Sequence, residues 1–243
     1  MVNAILAAAV IAALAAGSAR AGSVPPGSDP TEDARHAAVY DSCMRKAQSD
    51  PDAAYADAIA WHRLGGGLPA RHCAAVALVG KRQFDEAAAR LETLSRDAPP
   101  EDLGLRLGLL EQAAQAWQLS GRSERAEALQ DQTIAIAPDD RQLRIDRAVT
   151  RLTLGKSWEA VDDLNVALEL QPRDAEALLY RASAYRYLDA VDLARDDVRR
   201  ALDIEPLRPE AWLELGILER LAGDADAARR SWQEVLRLQP DGP

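Results

Sequence analysis

Two cysteines and three histidines are the residues of this chain best suited to build a reactive or metal centre. Cys43, His62, His72 and Cys73 form a four-ligand set on paper. Their spacing fits no short chelate such as Cys-x2-Cys joined to His-x3-His. His72 and Cys73 are adjacent on a predicted helix, so their side chains project about 100° apart and do not converge on one ion. A catalytic Cys–His pair would need a thiol shielded from oxidation, which an exported lone cysteine lacks. The even cysteine count in a chain read as exported predicts a Cys43–Cys73 disulfide. It would close a loop of about 30 residues and contribute roughly 3 kcal/mol in chain-entropy terms. No metal and no cofactor are expected, and the histidines are expected to make ordinary hydrogen bonds at helix surfaces.

The other chemical signals are weaker. Gly155-Lys156-Ser157 looks like the end of a phosphate loop, but the glycine required five residues earlier is Thr150, and no strand precedes it. His36, His62 and His72 all lie in the N-terminal part, away from any credible Ser-His-Asp order. Carboxylates are spread along helix faces with no pairing that isolates one for acid–base work. The chain is therefore expected not to be an enzyme.

The elements that carry these residues begin with an address. Residues 1–21 read as a cleaved signal peptide. The apolar stretch Ala4–Ala16 has 13 residues, against roughly 20 for a bilayer span, and Ala19-Arg20-Ala21 fits small-x-small cleavage. Its departure is an n-region with no Lys or Arg. Residues 22–30 read as a flexible Gly/Ser/Pro linker. No later segment is long and apolar enough to span a membrane, and an Ala/Arg-rich usage with three lysines suggests a GC-rich bacterium. The expected location is the periplasm. Net charge is −10 over 243 residues, and without a basic stripe such a surface repels phosphate backbones. No nucleic acid is expected as a partner.

The organising signal is a period. Pro138, Pro172, Pro206 and Pro240 are each 34 residues apart, the mark of one helical hairpin copied and stacked. Units run 107–140, 141–174, 175–208 and 209–242, with a degenerate unit at 68–101. The last supplies Trp212, Leu215, Gly216, Ala228, Val235 and Pro240 at places 4, 7, 8, 20, 27 and 32. On these residues the chain resembles the tetratricopeptide repeat (TPR) family. Arg144 and Arg147 depart from the family pattern at places 4 and 7, as do Gln130 and Thr133 at two usually apolar places. Small residues at places 8, 20 and 27 let helices A and B of each unit pack closely. Gly121, Gly155 and Gly223 supply a left-handed residue at the turn, with Asp189 substituting once.

The resemblance implies an all-α, right-handed superhelical solenoid behind an N-terminal helical cap at 31–67. The cap is expected to hold helices over Asp29–Gln48 and Pro51–Leu64, broken by Gly65-Gly66-Gly67. A helix extended over Glu101–Leu119 is expected to absorb a five-residue spacer. In the family, helix A lines a concave groove that binds protein. Carried over place by place, the groove comprises Gln115, Gln118, Ile145, Val149, Leu152, Leu179, Ser183, Arg186, Leu213, Ile217 and Arg220. Its apolar members favour a helix or extended peptide as ligand. The Lys and Asn that grip acidic chaperone tails at places 5 and 9 are replaced, for example by Leu213 and Ile217, so that role is not expected. Trp232, Val235 and Leu236 of the last helix offer a further docking or self-association face. The expectation is a protein-binding scaffold of the cell envelope. The alternative is an accessory or regulatory subunit of an envelope enzyme or secretion complex.

Overall fold

The computed structural model describes residues 30–240. The signal-peptide reading and most of the linker fall outside them. Twelve helices and no strand occur among the described residues. The chain divides into two compact units, with the division between Ile136 and Ala137.

The first unit holds α1 (Pro30–Ser49), α2 (Pro51–Arg63), α3 (Gly67–Gly80), α4 (Phe84–Asp97), α5 (Leu103–Leu119) and α6 (Ser123–Ile136). From α3 onward, each helix packs on its sequence neighbours, while α1 lies against both α2 and α3. Asp50 starts α2 by accepting the Ala53 N–H, and Asp102 starts α5 by accepting the Leu105 N–H. Each such cap contributes about 1 kcal/mol. The α5 cap sets that helix two residues later than expected. At 17 residues α5 still exceeds the 13 of α7, α9 and α11, which are the later A helices.

The cap is tied down twice. The Cys43–Cys73 disulfide is present, joining α1 to α3 with Cα atoms 6.2 Å apart. Neither sulfur is therefore a thiolate available to a metal or a substrate. Beside it, His72 is 3% exposed, which corrects the surface expectation for this histidine, whereas His36 and His62 are exposed. Its ring bridges three helices. Nδ1 lies 2.7 Å from the Tyr40 hydroxyl on α1, and Nε2 lies 2.7 Å from Gln112 Oε1 on α5. An amide oxygen only accepts, so Nε2 carries the proton and Nδ1 accepts from Tyr40. Burial holds the His72 pKa below its usual value. The unfolded chain therefore takes up a proton near pH 6.5 that the folded chain refuses, and stability falls as pH drops below that point. Asp146 in the second unit works oppositely, because burial raises its carboxyl to about 6. Comparison with His72→Gln separates the two. The wild type should lose up to ~1.4 kcal/mol per pH unit relative to the variant as pH falls below about 6.5. Parallel urea midpoints from pH 7.5 to 5 would contradict the assignment.

The second unit holds α7 (Arg141–Thr153), α8 (Ser157–Leu170), α9 (Ala175–Tyr187), α10 (Val191–Ile204), α11 (Pro209–Leu221) and α12 (Ala225–Leu238). These are three hairpins, and each A helix also touches the next. Asp140, Asp174 and Asp224 cap α7, α9 and α12 by accepting the N–H of Gln142, Ala177 and Ala227. The turns use left-handed residues where expected, at Gly155, Asp189 and Gly223. In the first unit Gly121 does the same, and Arg82 takes this conformation between α3 and α4.

The core follows the small-residue places. Ala148, Ala160, Ala167, Ala182, Ala194, Ala201 and Ala228 are fully buried, with Leu164, Leu178 and Val198 filling the space between helices. The last hairpin trades volume across one contact. Its place 24 holds Trp232, whose ring lies where a Cβ on Gly216 would sit. The preceding hairpins pair Ala148 with Leu164 and Ala182 with Val198 at the same two places. Gly216→Ala should destabilise the chain by about 1–3 kcal/mol through overpacking, and adding Trp232→Leu should recover part of that loss. A melting temperature unchanged by Gly216→Ala would refute this reading.

Candidate protein-binding face

Helices α7, α9 and α11 carry the predicted groove places of the second unit, and the structure sorts them. Val149, Ser183 and Ile217 are half-buried, and Arg220 is exposed. Leu213 is 44% exposed. Ile145 at 1% and Leu179 at 9% belong instead to the main core cluster, which removes both from the accessible face. The physical reason is the next A helix: α9 packs beside α7 and α11 beside α9, whereas no A helix follows α11 among the described residues. Leu152 is also packed against the core, half-buried. In the first unit, Gln115 and Gln118 lie half-buried on α5.

Arg186 is engaged within the fold. Its Nε donates to Glu214 Oε1 at 2.6 Å, linking α9 to α11. Its guanidinium also lies 4.7 Å from the centre of the Tyr187 ring.

The two arginines that depart from the repeat pattern have a structural role. Arg147 makes a two-pronged contact with Asp163, Nε to Oδ2 at 2.8 Å and Nη2 to Oδ1 at 2.6 Å. Arg144 and Arg151 bind the same carboxylate, which is 2% exposed. One hairpin later Arg181 holds Asp197 in the same way, with both contacts at 2.7 Å. Arg181 also reaches back to Asn165 Oδ1 on α8 at 2.7 Å. The signal was in the sequence: Arg147 and Arg181, and Asp163 and Asp197, are both 34 residues apart. This is an A-to-B clasp of the hairpin, in place of the apolar contact made by Leu215 in the last one.

One end of the face is acidic. Asp146 and Glu176 are partly buried, and neither forms an ion pair among the described residues. Gln142 Nε2 donates to Asp146 Oδ1 at 3.0 Å. Burial raises Asp146 to about 6 against the Gln142 hydrogen bond, with Glu176 and Asp140 adding to the rise, and burial also raises Glu176 against the opposing pull of Arg208 and Arg141. Tyr180 between them is pushed up to about 12, first by burial and then by the Glu176 charge.

Among the described residues no three His, Cys, Asp or Glu side chains are grouped to hold a metal ion. No helix among them is long and apolar enough to cross a membrane.

No family model matches the sequence, and no curated protein does. Solved structures do. MamA residues 41 to the end, from Desulfovibrio magneticus RS-1, superposes with a TM-score of 0.62 at 18% identity, covering 72% of this chain and 97% of that one. A second MamA structure gives a TM-score of 0.60 at 15% identity over 72% of this chain and 93% of the other. YrrB, described as a TPR protein with an unusual peptide-binding site, gives 0.53 at 15% identity over 75% and 91%. The fold is thus an all-α TPR solenoid.

Proposed function

We propose that this chain is a non-enzymatic scaffold of the bacterial cell envelope, exported by a cleaved signal peptide, that binds a protein partner on its A helices. The partner lies there as a helix or an extended segment. One observation carries the reading: Leu213, 44% exposed, stands beside the half-buried Ile217 on an A-helix face. Neither is held by the core as Ile145 and Leu179 are. The TPR fold supports the same view, since YrrB, which shares it, has a peptide-binding site.

The test is a cross-linked pull-down from the cell envelope with wild type and a Leu213→Asp/Ile217→Asp variant. Leu213 is changed rather than its counterpart Leu179, because an aspartate at buried position 179 would unfold the hairpin. A partner captured by wild type should be lost by the variant while its circular dichroism is unchanged. Capture of the same proteins by both would place binding elsewhere. The next face to test would then be the last helix, where Trp232 is 36% and Leu236 66% exposed.

A further inference from the structure

We propose that the open side of the last hairpin seats an amphipathic helix of a partner protein in the position a further A helix would hold. Its apolar row lies on Leu213, Trp232 and Leu236, and one of its carboxylates reaches Arg220. This rests on the reading of the A-helix face given above and extends it from α11 onto α12.

The preceding hairpins name the occupant. Each presents the same surface, and in each the A helix of the next hairpin packs on it: α9 on α7 and α8, and α11 on α9 and α10. Three places show what that cover does. At place 5, Ile145 and Leu179 are buried and Leu213 is exposed. At place 24, Leu164 and Val198 are fully buried and Trp232 is exposed. At place 28, Leu168 is buried, Leu202 is half-buried and Leu236 is exposed. The residues stay large and apolar while the cover is gone, so covering them again with a helix of the same kind is favourable.

Charge sets the polar contact. Arg186, at place 12 of α9, donates to Glu214, at place 6 of α11, with Nε 2.6 Å from Oε1. Arg220 repeats that arginine at place 12 of α11, where it is exposed and has no ion pair among the described residues. A helix seated one hairpin further along brings its own place 6 to Arg220. A carboxylate there completes a charge-assisted hydrogen bond, whereas a Lys or Arg meets like charge. The covering helix α11 also gives the pattern its occupant must share. It turns Ala211, Leu215 and Leu218 into the core cluster, which are places 3, 7 and 10 around the acid at 6. That spacing is one face of a helix and not of an extended strand.

The test uses a fluorescein-labelled, helix-stapled peptide with the sequence of α11, its binding to the purified chain followed by anisotropy. The peptide should bind. Leu236→Asp and Leu213→Asp/Ile217→Asp in the chain should each weaken it about ten-fold or more, through lost apolar burial. Arg220→Glu in the chain should weaken it about ten-fold, as should Glu214→Arg in the peptide, and the two together should recover most of the loss. Arg199→Glu makes the same charge change at an exposed place on α10 and should shift affinity by no more than about two-fold. The circular dichroism of each variant chain should match wild type. A peptide that fails to bind would overturn the proposal, as would charge changes that do not compensate each other. So would an Arg220→Glu effect no larger than that of Arg199→Glu, since the peptide would then be displacing α11 or responding to overall charge. If Leu213→Asp/Ile217→Asp abolishes binding while Leu236→Asp does not, the extension onto α12 fails and the A-helix face stands. If Leu213→Asp/Ile217→Asp leaves binding intact, the A-helix face itself is wrong.

Discussion

Asp197→Ala should destabilise the second unit by about 3 kcal/mol. The carboxylate is 4% exposed and accepts two hydrogen bonds from Arg181, itself only 15% exposed. Removing the acid leaves a buried guanidinium with only Asn165 as a hydrogen-bonded partner, and uncompensated buried charge is the expensive outcome. Arg200 also contacts Asp197 at 3.3 Å but is half exposed, so its loss adds little. The pair as a whole contributes far less than its breakage costs, because bringing both charges out of water offsets most of their attraction. The double variant Arg181→Leu/Asp197→Ser copies the residues that the last hairpin carries at those places, Leu215 and Ser231. It should come within about 1 kcal/mol of wild type. Urea melts followed by circular dichroism decide the matter. If the double variant is as unstable as the sum of the single changes, the two residues act independently and the clasp is not a unit.

Loss of the disulfide is the second large effect. Cys43→Ser/Cys73→Ser reopens a loop of 30 residues, which removes about 3 kcal/mol in chain-entropy terms. The damage should be local. Helix α1 buries little besides Cys43 and Ala47. Its other ties include the Tyr40–His72 hydrogen bond, the stacking of His36 on Trp61, the packing of Met44 and a Lys46–Asp57 ion pair with both partners well exposed, the last of which is worth little. Hydrogen exchange should show α1 amides losing protection in the variant or under reductant, while α8 to α10 keep theirs. Uniform protection in oxidised and reduced chains would show that packing alone holds the cap.

The helix ladder was legible because the proline period and the small-residue places are one-dimensional signals. A Gly or Asp at a fixed offset needs no knowledge of neighbours to be read as a turn. The site was less legible, and for a specific reason. Ile145, Leu179 and Leu213 occupy the same place in three successive hairpins, yet two are interior and one is open. Whether place 5 is covered depends on the next A helix, which single-repeat reasoning leaves out. His72 was misplaced for a related cause: its partners Tyr40 and Gln112 lie 32 and 40 residues away, and a histidine on an alanine-rich helix gives no sign of them. Arg147 alone reads as a flaw in the pattern, because its compensating acid Asp163 lies on the other helix of the hairpin and only the recurrence of both 34 residues later, as Arg181 and Asp197, marks them as a pair. The Gly216–Trp232 exchange was half visible: Gly216 reads as a small residue at place 8, while Trp232 reads only as an open residue of the last helix.

Site-specific photo-cross-linking tests the central claim most directly. A photoreactive amino acid is placed at position 213, at position 217 or, as a control, at exposed position 196 on α10, in the full chain expressed in its native host. The account predicts a discrete protein adduct at 213 and 217 and none at 196. Adducts confined to 196, or none at any position while the chain remains folded, would contradict a protein-binding role for the A-helix face.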